Sequence, residues 1–206
     1  MKRVLAAGIV LAALTLSGCG SSNVAVTPGD TSTPTVTADP TPTSSPTPET
    51  LYLSPDGFGP LQLGMTKQEA LGTGLVDVDV FHPADVCDSY TADMEFKPEW
   101  KDALDIYFDP TKNAVVDIGS RDESVTTPEG IGVGSTYADV QAAYGDSLVG
   151  PEKTGYDQWG VFVRSGDNWL GFLLGEALAR KPKPGDKVTM MEILLGKKPG
   201  LMRDGC

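Results

Sequence analysis

Two stretches seventy residues apart decide the predicted fold: LGMTKQEA at Leu63–Ala70 and VGSTYADV at Val133–Val140. In both, a hydrophobic residue and a glycine precede a threonine. An acid, Glu69 in the first stretch and Asp139 in the second, stands three positions after that threonine. This is the pattern of a capping box, in which the hydroxyl accepts from a free N–H of the first helical turn and the acid accepts from the threonine N–H. Each stretch therefore predicts the start of a helix.

Short β-rich runs separated by turn residues follow each predicted helix. The first half contains a hairpin at 104–118 with its turn at 109–113. The second half contains a hairpin at 160–174 with its turn at 165–168, and a last strand follows at 188–195. Runs of apolar and β-branched residues between Gly, Pro, Asn and Asp clusters are typical of antiparallel strands.

The repetition predicts an α+β fold of two tandem helix-plus-antiparallel-sheet repeats that form one curved sheet. The repeats would span about 58–125 and 129–200 within a folded domain at 51–206. The equal spacing of the two helix starts favours a true duplication. The alternative is that a good helix start occurs twice by chance.

The two motifs, Leu-Gly-Met-Thr-x-x-Glu-Ala and Val-Gly-Ser-Thr-x-x-Asp-Val-x-x-x-Tyr-Gly, resemble the signature of β-lactamase-inhibitor-protein-like domains. That superfamily includes small outer-membrane assembly lipoproteins. The resemblance covers roughly 58–196 and implies a first helix followed by a curved antiparallel sheet. In the inhibitor, two such units join into a concave sheet that binds a protein partner. The contact loops of the inhibitor have no match in this sequence, so the resemblance implies no particular binding residue.

The amino terminus predicts a lipoprotein signal peptide at 1–18. Two basic residues precede an apolar stretch at 4–16, which is shorter than the roughly 20 residues that span a bilayer. The tetrapeptide Leu16-Ser17-Gly18-Cys19 resembles the lipobox of bacterial lipoproteins. The resemblance implies cleavage before Cys19, diacylglycerol on its sulfur and an acyl chain such as palmitate on the new amino terminus, and two or more chains hold a protein stably on a membrane. The alternative is an ordinary secreted protein with a chance cysteine at its cleavage site.

The cysteine count agrees with lipidation of Cys19. The chain has three cysteines, so a lipid on Cys19 leaves Cys87 and Cys206 as a pair. Outside the cytoplasm, an oxidising environment favours a disulfide between them. Two free buried thiols are the alternative.

A Pro/Thr/Ser-rich linker at 19–50 separates the anchor from the folded domain. Its sequence has no apolar periodicity, which predicts a disordered stalk. Frequent prolines favour extended backbone at about 3.1 Å per residue, so the predicted role of the stalk is reach. Ser/Thr-rich tracts with proline are also typical of O-glycosylated stalks.

The sequence offers little for catalysis and predicts no enzyme, cofactor or metal. His82 is the only histidine, and it lies in a Pro-containing loop typical of an ordinary polar position. No Gly-x-Ser-x-Gly nucleophile motif occurs, and one histidine with two paired cysteines does not make a zinc site. A net charge of −12 disfavours nucleic-acid binding.

Two groups of residues are candidates for partner binding. The first is aromatic and the second is basic: Tyr156, Trp159 and Trp169, then Lys181, Lys183 and Lys187. Exposed tryptophan and tyrosine are enriched as binding anchors, and a basic loop suits an anionic surface. The alternatives are core aromatic residues and ordinary solvated charge.

Together these features predict an extracytoplasmic lipoprotein that is anchored to the cell membrane and binds an envelope protein without catalysis. The alternatives are a carboxylate-dependent hydrolase of cell-wall polymers, which would need two facing acids, and a small-ligand sensor, which would need a closed apolar cavity. A fold resemblance alone does not fix function. The sequence does not specify an oligomeric state.

Overall fold

The computed structural model describes residues 50–78, 94–175 and 179–201. All of them belong to the second of the two units of the chain, Pro46–Cys206.

The described residues form eleven β-strands and two α-helices. The strands are β1 (Leu53–Ser54), β2 (Gly57–Phe58), β3 (Leu61–Gln62), β4 (Val76–Val78), β5 (Met94–Phe96), β6 (Leu104–Asp109), β7 (Ala114–Ser120), β8 (Val149–Lys153), β9 (Trp159–Ser165), β10 (Asn168–Leu174) and β11 (Val188–Leu194). The helices are α1 (Lys67–Gly72) and α2 (Tyr137–Tyr144). Short 3-10 turns lie at Gly145–Ser147 and Gly155–Asp157.

The strands belong to three antiparallel sheets. β1, β2 and β3 form a small meander, and β4 pairs with β5. The remaining strands form a six-stranded sheet in the order β6-β7-β11-β10-β9-β8. β7 and β11 join the two halves of this sheet, with Ile118 opposite Ile193.

The predicted α+β class with one curved sheet of tandem repeats is wrong. The structure is mostly β, with 41% strand and 14% helix, and its strands are divided among three sheets. The helices are only six and eight residues long. Gly145 caps α2 with a φ of 49°, and α1 ends at Gly72, two residues before Gly74, whose φ is 76°. A further difference is that residues 53–62, which precede the first helix, form a separate meander.

Both predicted capping boxes are confirmed. The Thr66 hydroxyl accepts from the Glu69 N–H at 3.4 Å, and a Glu69 carboxylate oxygen accepts from the Thr66 N–H at 2.9 Å. The corresponding distances between Thr136 and Asp139 are 3.2 and 2.8 Å. These hydrogen bonds lower the pKa of both acids, because each carboxylate accepts from a threonine backbone and side chain.

The turn before each helix is attached to the sheet in the same way. Gly64 and Gly134 donate to the carbonyls of Val115 and Val188, at 2.7 and 2.9 Å. Each valine N–H donates back to the residue after the glycine, at 2.8 Å in both cases. The glycines have φ of 87° and 91°, where a side chain would be strained. The start of α1 is therefore held against β7 and the start of α2 against β11, the two strands that pair at the centre of the sheet.

The main hydrophobic core lies between the helices and one face of the six-stranded sheet, which we call the inner face. Its buried residues include Ala70 from α1, Tyr137 and Val140 from α2, and Ile118, Val161, Leu170, Phe172, Met191 and Ile193 from the sheet. Burying each large apolar side chain contributes about 1.5–3 kcal/mol, so this face determines how the helices pack. The opposite face of the six-stranded sheet is called the outer face.

Candidate functional site

The outer face of the six-stranded sheet is the candidate functional site. Partners opposite each other in an antiparallel pair point to the same face, so the strand pairing defines two full rows of residues across it and a shorter third row of Gly160, Leu173 and Met190. The first row is Phe162, Gly171, Glu192, Gly119 and Asp105, and the second is Arg164, Trp169, Leu194, Asp117 and Tyr107.

A pair of acids lies at the centre of the outer face, where β7 meets β11. The side chains of Asp117 and Glu192 are hydrogen-bonded to each other. Burial, the charge of Glu192, the hydrogen bond to it and the charge of Asp105 together raise the pKa of Asp117 to about 9, although the charge of Lys197 opposes the rise. Asp117 is therefore protonated at neutral pH.

Aromatic and cationic side chains lie beside this acid pair on β9 and β10. The guanidinium of Arg164 is 5.4 Å from the ring centre of Trp169, and the ammonium of Lys198 is 5.1 Å from the same ring. Lys198 is also 4.9 Å from the ring centre of Phe162 and 2.7 Å from a carboxylate oxygen of Glu152. Cation–π contacts of this kind contribute about 0.5–2 kcal/mol each and fix the position of the lysine.

The end of the described chain covers this half of the outer face. Leu201 is fully buried, and its N–H donates to a Glu192 carboxylate oxygen at 2.7 Å. The side chain fits over two glycines: a Cβ atom would lie 2.6 Å from Leu201 Cδ1 at Gly160 and 3.0 Å from Cδ2 at Gly171. A second, smaller hydrophobic cluster results: Phe162, Leu173, Met190 and Leu201, with Trp169 packed against it.

The structure separates the candidate aromatic residues. Trp169 is half-buried on the outer face, opposite Arg164 and Leu194. Trp159, also half-buried, pairs with Leu174 at the other end of the same hairpin, where the ammonium of Lys153 is 4.9 Å from its ring centre. The two tryptophans do not form one patch. Tyr156 lies in a 3-10 turn, and its side chain is outside the described part of the molecule.

The candidate lysines lie together in the loop between β10 and β11. Lys181, Lys183 and Lys187 are exposed there. The loop is held by Arg180, whose guanidinium contacts both carboxylate oxygens of Asp186 at 2.6 and 2.9 Å and lowers the pKa of that acid to about 2. The Gly175 N–H donates to the Lys187 carbonyl, which puts this loop at the Trp159 end of the sheet, away from Trp169.

Several predicted sites fall outside the described residues. They are the lipidation site Cys19, the disulfide pair Cys87 and Cys206, and the loop residue His82. The signal peptide and almost all of the predicted stalk also lie outside. Neither helix of the described part has the length and apolar character to span a bilayer.

The described residues contain surface grooves but no group of metal-ligating side chains. Within them, no three His, Cys, Asp or Glu side chains are grouped so that they could hold a metal ion. A groove of 460 Å³ beside β1 is lined by residues such as Tyr52, Pro60 and Pro128, and its lining has no acid, histidine or cysteine.

The sequence pattern did not predict the acid pair of Asp117 and Glu192 on the outer face. Asp117 and Glu192 are far apart in sequence and meet only because β7 pairs with β11. The glycines at 160 and 171 were the available signal, since glycine inside a strand often marks a close approach by another part of the chain.

No family of proteins, no curated protein and no solved structure matches this chain. The arrangement on the outer face is therefore the basis for assigning a function.

Proposed function

We propose that this protein is an extracytoplasmic lipoprotein, anchored to the cell membrane through lipid on Cys19, which binds an envelope protein without catalysis. The lipobox-like leader and the Pro/Thr/Ser-rich linker support the anchor and its reach. The observation that carries the binding role is the outer face: the helices pack on the inner face and leave the outer one with aromatic and charged side chains.

The chemistry of the outer face supports binding better than hydrolysis. The two carboxyl groups of glycosidases lie about 5–9.5 Å apart, with substrate or water between them. Asp117 and Glu192 instead hydrogen-bond directly to each other. Trp169 and Arg164, in contrast, belong to the residue types that contribute most often to protein interfaces.

Replacing Cys19 with serine tests the anchor. Serine has no thiolate to accept the lipid, so we expect the protein to move from the membrane fraction to the soluble fraction. Phase separation in a temperature-sensitive detergent measures the change: the unaltered protein should enter the detergent phase and the Cys19→Ser variant the aqueous phase. Cys87→Ser serves as a matched control and should stay in the detergent phase. Equal partitioning of all three proteins would contradict the lipid anchor.

Site-specific photocrosslinking tests the binding face. A benzoylphenylalanine at position 107 or 164 would lie on the outer face, and one at exposed position 141 would lie on α2. In intact native envelopes we expect a discrete crosslinked protein from positions 107 and 164 and none from 141. A partner crosslinked equally from all three positions, or from none, would overturn the assignment of the outer face.

A further inference from the structure

We propose that the groove over Gly160 and Gly171 recognises an extended segment of a partner protein with an aliphatic side chain three residues after a lysine or arginine. Residues 198–201 of this chain occupy the groove as an internal competitor. The inference rests on the proposed function, because it names the part of the outer face that a partner would use.

The groove has the size of one aliphatic side chain. Gly160 and Gly171 lie on the neighbouring strands β9 and β10, and a Cβ atom on either would meet the Leu201 side chain at 3.0 Å or less. Phe162 also borders both glycines, at 2.9 and 3.1 Å from the same Cβ positions. Two strand glycines weaken a sheet, so the space they leave is a specific feature of this face.

The present occupant fits the groove imperfectly. Leu201 is fully buried, yet its backbone has a φ of 49°, in the left-handed region that disfavours leucine. A partner leucine in an extended segment would fill the same space without that strain. The groove is therefore better suited to a segment that crosses it with an extended backbone than to residues 198–201.

Charged and aromatic side chains beside the groove determine which residue can precede the aliphatic side chain of the bound segment. Lys198 lies over the rings of Phe162 and Trp169 and contacts Glu152, and an arginine would satisfy the same groups. Glu192 accepts the Leu201 N–H and would accept that of a partner residue. The spacing of three residues between the cation and the aliphatic side chain follows from Lys198 and Leu201.

The internal segment can leave without breaking the sheet. Leu195 is joined to β7 by a hydrogen bond from its N–H to the Val116 carbonyl, but residues 198–201 belong to no strand or helix. They are held on the outer face by side-chain contacts and by the hydrogen bond to Glu192. Segments with few ladder hydrogen bonds open at much lower free energy than the strands beneath them.

Binding of a labelled peptide tests the groove. The probe is fluorescein-labelled LGKKPGL, the sequence of residues 195–201, titrated with the purified full-length protein and followed by fluorescence anisotropy. The internal segment reduces the fraction of open groove, so we expect Leu201→Ala to bind the peptide at least about tenfold more tightly than the unaltered protein. Lys198→Glu, which places an acid beside Glu152, should have the same effect through a different contact.

Two controls identify the groove. A peptide with aspartate in place of its last leucine should not bind. In the Leu201→Ala background, Gly171→Val should abolish binding because its side chain fills the space. If the folded Leu201→Ala and Lys198→Glu variants bind no more tightly than the unaltered protein, the proposal is overturned, whereas crosslinking from position 107 would still support the proposed function. A dimer of the unaltered protein that Leu201→Ala dissociates would identify a second copy as the occupant and would also overturn it.

Discussion

Replacing Asp117 with asparagine is expected to raise the free energy of unfolding at pH 7 by about 4 kcal/mol. The folded protein holds a proton on Asp117 up to a pKa of about 9, and the ordinary value is 3.8. The raised pKa contributes stability in full below about pH 3.8. That contribution is lost as the pH rises towards 9, because only the unfolded chain has released the proton. Asparagine has no proton to lose, and its amide can donate to Glu192 in the same position.

The variant should also change how stability depends on pH. Between about pH 5 and 8 the folded protein binds one more proton than the unfolded chain, so its free energy of unfolding should fall by about 1.4 kcal/mol per pH unit. Asp117→Asn should not show this fall. Urea unfolding at pH 5, 6, 7 and 8, followed by tryptophan fluorescence, measures both curves. Asp146→Asn is the control, since Asp146 is exposed after α2 and its change should stay within about 0.5 kcal/mol. Parallel curves for all three proteins would rule out a protonated Asp117.

The acid pair also bears on the proposed binding role. A sheet that keeps a neutral acid beside a carboxylate is less stable at neutral pH than one with an amide at that position. Groups with strongly shifted pKa values concentrate at functional sites, although structural networks also produce them. Asp117 lies beside Glu192, and Glu192 accepts the Leu201 N–H in the groove over Gly160 and Gly171. The acid pair that lowers stability at neutral pH is therefore next to the proposed binding groove.

The local features of the fold were predictable because the chemistry lies within a few residues. Thr66 and Thr136 each contact an acid three positions away, and these contacts need no knowledge of the rest of the chain. The hairpins of β6 with β7 and β9 with β10 coincide with the runs and turns of the sequence for the same reason. Turn residues determine how adjacent strands pair.

The class of the fold was not predictable from the same signals. The strands β1 to β3 have two residues each, too few to show any alternation of apolar and polar residues. The boundary between the three sheets depends on packing, not on local sequence. The outer face likewise depends on the pairing of β7 with β11, which brings Asp117 and Glu192 together across seventy-five positions.

Replacing Gly57 with alanine is expected to lower the free energy of unfolding by about 3 kcal/mol. A Cβ atom at this position would lie 2.0 Å from the Leu61 carbonyl oxygen and 2.7 Å from the Gln62 Cα, both in the backbone of β3. Backbone atoms cannot rotate away as a side chain can, so β2 and β3 must separate. Gly72→Ala is the matched control, because no atom lies within 4 Å of its Cβ position at the end of α1.

The loss should be large because the small meander supplies core residues. Separation of β2 from β3 would withdraw Phe58 and Leu61, both fully buried. The Phe58 ring centre lies 6.0 Å from that of Phe96 and 4.9 Å from that of Trp100, so Trp100 fluorescence should report the change. In urea unfolding, Gly72→Ala should be neutral or gain about 0.5–1 kcal/mol from the lost flexibility of glycine. Similar stabilities for the two variants would mean that the meander contributes little to the core, and the close approach of β2 and β3 would then have no energetic role.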